Sequence, residues 1–217
     1  LTIMEEATEF INRVKNGGTL PMFTSCCPGW VKYIEHKDSI AHISPVSYYA
    51  KKMGINPKDM FVTSIMPCTV KKFEAHRPEL AENRQQDVDA VLTTRELVRL
   101  FTMRGIDFAD LPDSQFDNPL GESTGAAAIF GTSGGVMEAA LRTAYFMLTG
   151  NELEKLEFED IRGLDGVKEL SLDINGMKLN FAVVNGVGNV ERILDEVENG
   201  TCKYHFIEVM ACPGGCI

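Results

Sequence analysis

Runs of β-branched and aromatic residues alternate along this chain with runs spaced for helices, and nothing else in the sequence restricts its fold so much. The stretches "MFVTSIM" (60–66), "DVDAVLTT" (87–94), "MKLNFAVVNG" (177–186) and "YHFIEVM" (204–210) have the length and composition of strands, as does the shorter "LPMF" (20–23). Between them, Ile3, Met4, Ala7, Phe10, Ile11 and Val14 fall at helical spacing within residues 3–15. Thr93 followed by Glu96 is a capping-box signal for a helix through "RELVRLFTMRG". "VMEAALRTAYFML" is strongly helical, and "VERILDEVENG" reads as a helix ended by its glycine. Strands joined through helices pair in parallel, so the expected class is α/β, with mostly parallel sheets flanked by helices.

Two of these strands end alike. "FVTSIMPC" (61–68) and "HFIEVMAC" (205–212) each run into Met-x-Cys. If both are parallel strands, their carboxyl ends lie on the side where α/β folds build sites, and Cys68 and Cys212 can face one cavity. The chain has six cysteines: Cys26, Cys27, Cys68, Cys202, Cys212 and Cys216. With 217 residues, 44% of them hydrophobic, it can bury a core without disulfide staples, so metal binding or catalysis is the better use for thiols. In "ACPGGCI", Cys212 and Cys216 form a C-x3-C pair, and Pro213, Gly214 and Gly215 let the backbone curl around something bulky. With Cys68 and one of Cys26 or Cys27 they make four thiolates, the complement of a cubane of four irons and four sulfides. A C-x2-C spacing is more usual for zinc, and inert buried thiols are the plainer alternative; spacing alone leaves all three open.

"TSCCPGW" (24–30) sets two of these cysteines side by side. Neighbours in an extended segment point in opposite directions, so Cys26 and Cys27 should not both grip one cluster. One would ligate, and the other, titrating near ~8.5 when unperturbed, could serve as a proton donor beside a redox centre. Glu6, Glu9 and Arg13, at i, i+3 and i+7 on the first helix, offer a continuation as a proton wire. Such a row is ordinarily a solvated polar face turned away from the apolar stripe.

The formal charge of −10, from 31 acidic and 21 basic side chains, argues against nucleic acid and anionic membranes as partners, since both attract positive surfaces. No apolar run approaches the roughly 20 residues of a membrane-spanning helix. "LTIMEEATEF" is acidic where a signal peptide is basic, which points to the cytoplasm. The periplasm stays open as the alternative, because the chain begins at Leu1 and a leader could have been removed. The glycine-rich stretch at 121–135 lacks the lysine of a phosphate-binding loop.

"TSCCPGW", "MPCTVKKFE" (66–74) and "EVMACPGGC" (208–216) resemble the three signature motifs of the iron-only (FeFe) hydrogenases, in the same order and at compatible separations. "GTSGGVMEAALRTA" (131–144) resembles a further shared segment, so the resemblance covers nearly the whole chain. It implies two lobes enclosing an iron–sulfur active site. It also implies the H-cluster, a cubane joined through a cysteine sulfur to a di-iron subsite bearing carbon monoxide, cyanide and a dithiolate amine. By motif match, Cys27, Cys68, Cys212 and Cys216 would hold the cubane, with Cys216 the bridging sulfur. Cys26 would pass protons, followed outward by Glu6, Glu9 and Arg13; the family's relay also uses a serine, for which Ser44 is the nearest candidate. Lys71 would hydrogen-bond a cyanide, and Met66 and Met210 would pack against the di-iron subsite. Glu74 would be a structural partner of nearby cations, and Cys202, outside every motif, a structural thiol. The implied activity interconverts dihydrogen with protons and electrons, with ferredoxin or another electron carrier and cluster maturation proteins as partners.

Between Ile43 and Tyr48 the chain has only "SPVS", where the family carries a longer segment. The expectation is therefore one H-cluster domain over 1–217, incomplete at both ends and shortened near 43–48: a fragment, or a chain with segments missing. The rival reading is a Narf-like protein of iron–sulfur assembly, which binds clusters but lacks the di-iron subsite. Those relatives typically lose the thiol at the position of Cys26, and its presence favours the hydrogenase. The same thiol counts against a hydrogen-sensing member, and a structural zinc or redox-thiol module is the reading from another class.

Overall fold

In a computed structural model, residues 2–35, 45–82, 85–115, 117, 125–153, 156, 159–160 and 166–216 are described. In chain order the elements are α1 (Thr2–Asn16), β1 (Met22–Thr24), α2 (Pro28–Glu35), α3 (Pro45–Met53), β2 (Thr63–Met66), α4 (Lys71–Glu74), β3 (Ala81–Glu82), β4 (Gln85–Gln86), β5 (Ala90–Thr93), α5 (Thr94–Arg104), α6 (Gly135–Thr149), β6 (Glu159–Asp160), β7 (Val167–Ile174), β8 (Met177–Asn185), α7 (Glu191–Glu198) and β9 (Phe206–Met210). They fall into two units, Leu1–Ser39 with Gly125–Ile217, and Ile40–Thr124.

The first unit is built on a five-stranded sheet in the order β1-β9-β8-β7-β6. β1, β9 and β8 are parallel, Phe206 of β9 facing Met22 on one side and Phe181 on the other. β9 is thus interior to the sheet, and all of Phe206–Met210 is buried. β1 and β9, which lead into the double cysteine and into Cys212, pair in parallel as expected, and β7 and β6 extend the sheet antiparallel beyond β8; β2, which leads into Cys68, belongs to a different sheet, so the two Met-x-Cys strands do not end on a common one. β8 is the strand expected over 177–186, but its hairpin partner β7 is not among the expected strands, although Asn175-Gly176 between them is the usual two-residue hairpin turn. Charged Lys168, Glu169 and Asp173 break up its first strand as a hydrophobic pattern.

Helices cover both faces of this sheet. On one, α1 and α6 contribute Ile3, Ala7, Phe10, Met137, Leu141 and Ala144 to a core with Phe181, Val183 and Phe206. Phe10 stacks on Phe206 at 5.1 Å and meets Phe181 edge-on at 5.9 Å. Burying each of these rings contributes about 2 kcal/mol. On the other face, Trp30 of α2 and Ile193 and Leu194 of α7 pack with Ala182, Val184, Ile207, Val209 and Met210. Met4, at the edge of the apolar stripe of α1, is exposed.

The second unit contains the parallel pair β2–β5, in register from Thr63 opposite Ala90 to Met66 opposite Thr93, and the short antiparallel pair β3–β4. α5 begins at the expected capping box: Glu96 N–H donates to Thr93 Oγ1 (3.2 Å) and Thr93 N–H donates to Glu96 Oε2 (2.8 Å). The strands are shorter than composition suggested. The Asp89 carboxylate takes the Val62 N–H at 2.7 Å, which occupies the donor where a longer β2–β5 ladder would continue. Pro21 has no N–H to offer ahead of β1. Among the described residues no helix is long and apolar enough to cross a membrane.

Candidate metal centre

β1 ends at Thr24 and α2 opens at Pro28, with Cys26 and Cys27 in the turn between. Ser25 Oγ donates to the Val209 carbonyl (2.5 Å) and accepts the Cys27 N–H (3.0 Å), which fixes this turn against β9. Cys26 Sγ and Cys27 Sγ each lie 3.8 Å from Met210 Sδ. The expected parting of the two thiols to opposite faces does not hold in that simple form. Side-chain alternation belongs to a strand, and here the strand has ended and a helix is beginning, so both thiols reach one buried thioether. Their surroundings still differ: Cys27 is 6% exposed and accepts the Ala211 N–H at 3.3 Å, whereas Cys26 is half-buried.

β9 leads directly into the loop holding Cys212, which is exposed, and Cys216, which is half-buried. Gly214 and Gly215 take φ of 81° and 103°, a region that suits glycine. A Cβ on Gly215 would also stand 2.6 Å from the Gly131 carbonyl oxygen, because the loop packs backbone to backbone on the turn before α6. Cys216 N–H donates to the Gly131 carbonyl at 2.7 Å, and Thr132 and Gly215 form an isolated β-bridge. Gly135, the first residue of α6, is under the same constraint: a Cβ there would lie 1.7 Å from the Ile129 carbonyl oxygen. Of the glycines in "GTSGG", Gly135 therefore marks a close backbone approach, while Gly134 takes a φ of 83°.

The row on α1 divides. Glu6 lies inward, accepting Thr24 Oγ1–H at 2.8 Å on Oε1, while Oε2 is buried with no hydrogen-bond partner among the described residues. Burial raises its pKa, the Thr24 bond opposes this, and the Glu9 charge adds to the rise. The solvated-face expectation is thus corrected for Glu6; at 100° per residue it stands only about 40° around the helix from Phe10, at the border of the apolar stripe. Glu9 and Arg13 remain outside. Arg13 Nε donates to Glu9 Oε1 at 3.0 Å, Nη2 pairs with the same oxygen, and Nη1 reaches the Thr19 carbonyl at 3.2 Å.

In the second unit, β2 delivers Met66 and then Pro67-Cys68, with Cys68 half-buried. Lys71, at the start of α4, is paired through Nζ with Glu74 Oε2 at 2.7 Å, the structural role expected for Glu74. Lys72 Nζ donates to Glu96 Oε1 at 2.6 Å, and this bond and those from Thr93 hold the Glu96 carboxyl down at about 2. Ser44 lies outside the described residues.

Glu208 is a residue that sequence reasoning missed. Fully buried in β9, it accepts the Gly134 N–H on Oε1 (3.1 Å) and the Met137 N–H on Oε2 (2.6 Å). Burial pushes its pKa up to about 7 against those two bonds, and the nearness of Cys27 and Glu6 adds to the rise. One signal was available: an acidic residue amid the apolar run "HFIEVM" has to find donors when buried.

Among the described residues no three Cys, His, Asp or Glu side chains converge on the position of a single metal ion. A cubane asks for something else, one thiolate on each of four irons. The donor set suits it: none of the six cysteines is in a disulfide, Cys27 already accepts an amide N–H, and Cys212 and Cys216 flank a loop whose two glycines take positive φ.

The model of the family described as iron-only hydrogenase large subunit, C-terminal domain, matches residues 1–217. The periplasmic Fe hydrogenase large subunit of Nitratidesulfovibrio vulgaris is 47% identical over 233 residues, covering 100% of this chain and 55% of that protein. A cytosolic iron–sulfur cluster assembly factor of Xenopus tropicalis is 31% identical, covering 100% of this chain and 50% of that protein. A variant of the FeFe-hydrogenase HydA1 from Chlamydomonas reinhardtii superposes with a TM-score of 0.79 at 39% identity, covering 99% of this chain and 66% of that one. The chain thus spans about half the length of these curated relatives.

Proposed function

Since the chain belongs to the iron-only hydrogenase large-subunit family, matching its C-terminal domain, we propose that it interconverts dihydrogen with protons and electrons at an H-cluster. The observation that carries the reading is the sulfur contact of Cys26 and Cys27 with Met210, one thiol buried beneath an amide N–H and its neighbour left half-buried. When bound, the H-cluster supplies electrons and the iron at which dihydrogen forms or splits. Cys27, Cys68, Cys212 and Cys216 would supply the thiolates that hold it. Cys26 gives and takes the proton. Glu6, kept protonatable by burial and positioned by Thr24, is the next group outward, and the Glu9–Arg13 pair completes the path to solvent. Ser44 is the remaining relay candidate. Lys71, steadied by Glu74, would offer its ammonium to an anionic ligand of the cluster, and Met66 and Met210 would supply apolar walls. Ferredoxin or another carrier exchanges the electrons, and maturation proteins deliver the di-iron subsite.

The rival reading, a cluster-binding protein of iron–sulfur assembly, draws on the Xenopus relative. One experiment separates them. Anaerobic reconstitution with iron and sulfide, followed by maturation proteins, should yield about six irons per chain and infrared bands of iron-bound carbon monoxide and cyanide. About four irons and no such bands would favour the assembly protein. In the loaded protein, Cys26→Ala should keep its iron and lose roughly 10²–10⁴-fold in turnover, the range for removing a proton-transfer group. Undiminished turnover would end the relay role.

A further inference from the structure

We propose that Glu208 is a positioning residue for Cys216, acting through the N-terminus of α6; this rests on the reading of Cys216 as a cluster ligand. A carboxyl in the middle of a five-stranded sheet costs several kcal/mol in desolvation unless donors meet it, and an apolar residue would fill a buried strand position at no such cost. Here the donors are the N–H groups of Gly134 and Met137. α6 has Gly134 at its N-cap, with no side chain to satisfy those groups, so a strand residue does the capping instead. The helix dipole favours an acidic group at that end.

What the cap holds is the turn just before it. Gly131 accepts the Cys216 N–H at 2.7 Å, Thr132 bridges Gly215, and Ser133 Oγ donates to Asn185 Oδ1 at 2.6 Å at the end of β8. Both ends of the "CPGGC" loop are thereby referred to one strand. Cys212 follows β9 directly along the chain, and Cys216 is placed from Glu208 of the same strand by way of α6 and its turn. Glu208 so fixes the loop for cluster binding before metal arrives, and less ordering is left to be done on binding.

The test uses the metal-free, reduced full chain and the rate at which iodoacetamide labels each cysteine, read by peptide mass mapping. Cys202, in the segment before β9, serves as the internal reference. Glu208→Ala should raise labelling of Cys216 about tenfold, equivalent to ~1.4 kcal/mol of lost restraint, while Cys202 changes less than about twofold. Glu208→Gln, which keeps an acceptor for one N–H, should fall between and carries the test if the alanine variant does not fold. Gly215→Ala, which drives a Cβ into the Gly131 carbonyl from the loop side, should also raise Cys216 alone. An unchanged Cys216 rate in the Glu208 variants would overturn the proposal. So would Cys216 and Cys202 rising together, the mark of general loosening. Neither outcome touches the hydrogenase reading, which stands or falls on the infrared bands.

Discussion

Two carboxyls, Glu208 buried and Glu6 half-buried, set the pH response of the first unit. Burial raises both, Glu208 to about 7 and Glu6 in the same direction. A carboxyl raised by folding holds its proton more tightly in the folded state. The stability it contributes is complete below the ordinary value of 4.5 and is lost as pH climbs through about 7. Glu96, held by Lys72, and Glu169, held by Lys203, are shifted the other way, and their contributions fade only as pH falls below 4.5. The metal-free chain should therefore lose thermal stability between about pH 5 and about pH 8, and Glu208→Gln should flatten that slope, both read by calorimetry across the range. A slope identical in the variant would mean that the α6 amides keep Glu208 ionised throughout. The acidic residue was visible in "HFIEVM", but its partners were not, because Gly134 and Met137 come to it only when α6 packs on the sheet.

Elements governed by neighbours in sequence were legible; those settled by distant contacts were not. The capping box of α5 joins residues three apart and stands where Thr93 and Glu96 place it. Thr93→Ala should cost the second unit about 1 kcal/mol, measured as a lowered denaturant midpoint, with α5 otherwise intact. The tie from Glu96 to Lys72 of α4 is tertiary and had no local signal. On α1, spacing put Glu6, Glu9 and Arg13 in one row, yet the border between inside and outside was drawn by Thr24, Phe181 and Phe206. For the double cysteine, the strand rule predicted divergence. Ser25, by bonding Val209 and capping Cys27, ended the strand early enough to set both sulfurs on Met210.

At the scale of the molecule, the chain has two units, Leu1–Ser39 with Gly125–Ile217 and Ile40–Thr124. Separable units need not melt together, so metal-free protein should unfold in two calorimetric steps, with a total enthalpy above the van't Hoff value. A single two-state transition in the metal-free chain would contradict this. The sequence by itself determined the strand–helix alternation, the α5 cap and the motifs that carry the family resemblance, because period, capping and short motifs are properties of neighbouring residues. Only the tertiary structure decided that Glu6 turns inward, that two adjacent thiols share Met210, and that Glu208 caps a helix begun over seventy residues earlier. Burial and donor–acceptor pairing are set by whatever residues the fold brings alongside, and no local pattern encodes them.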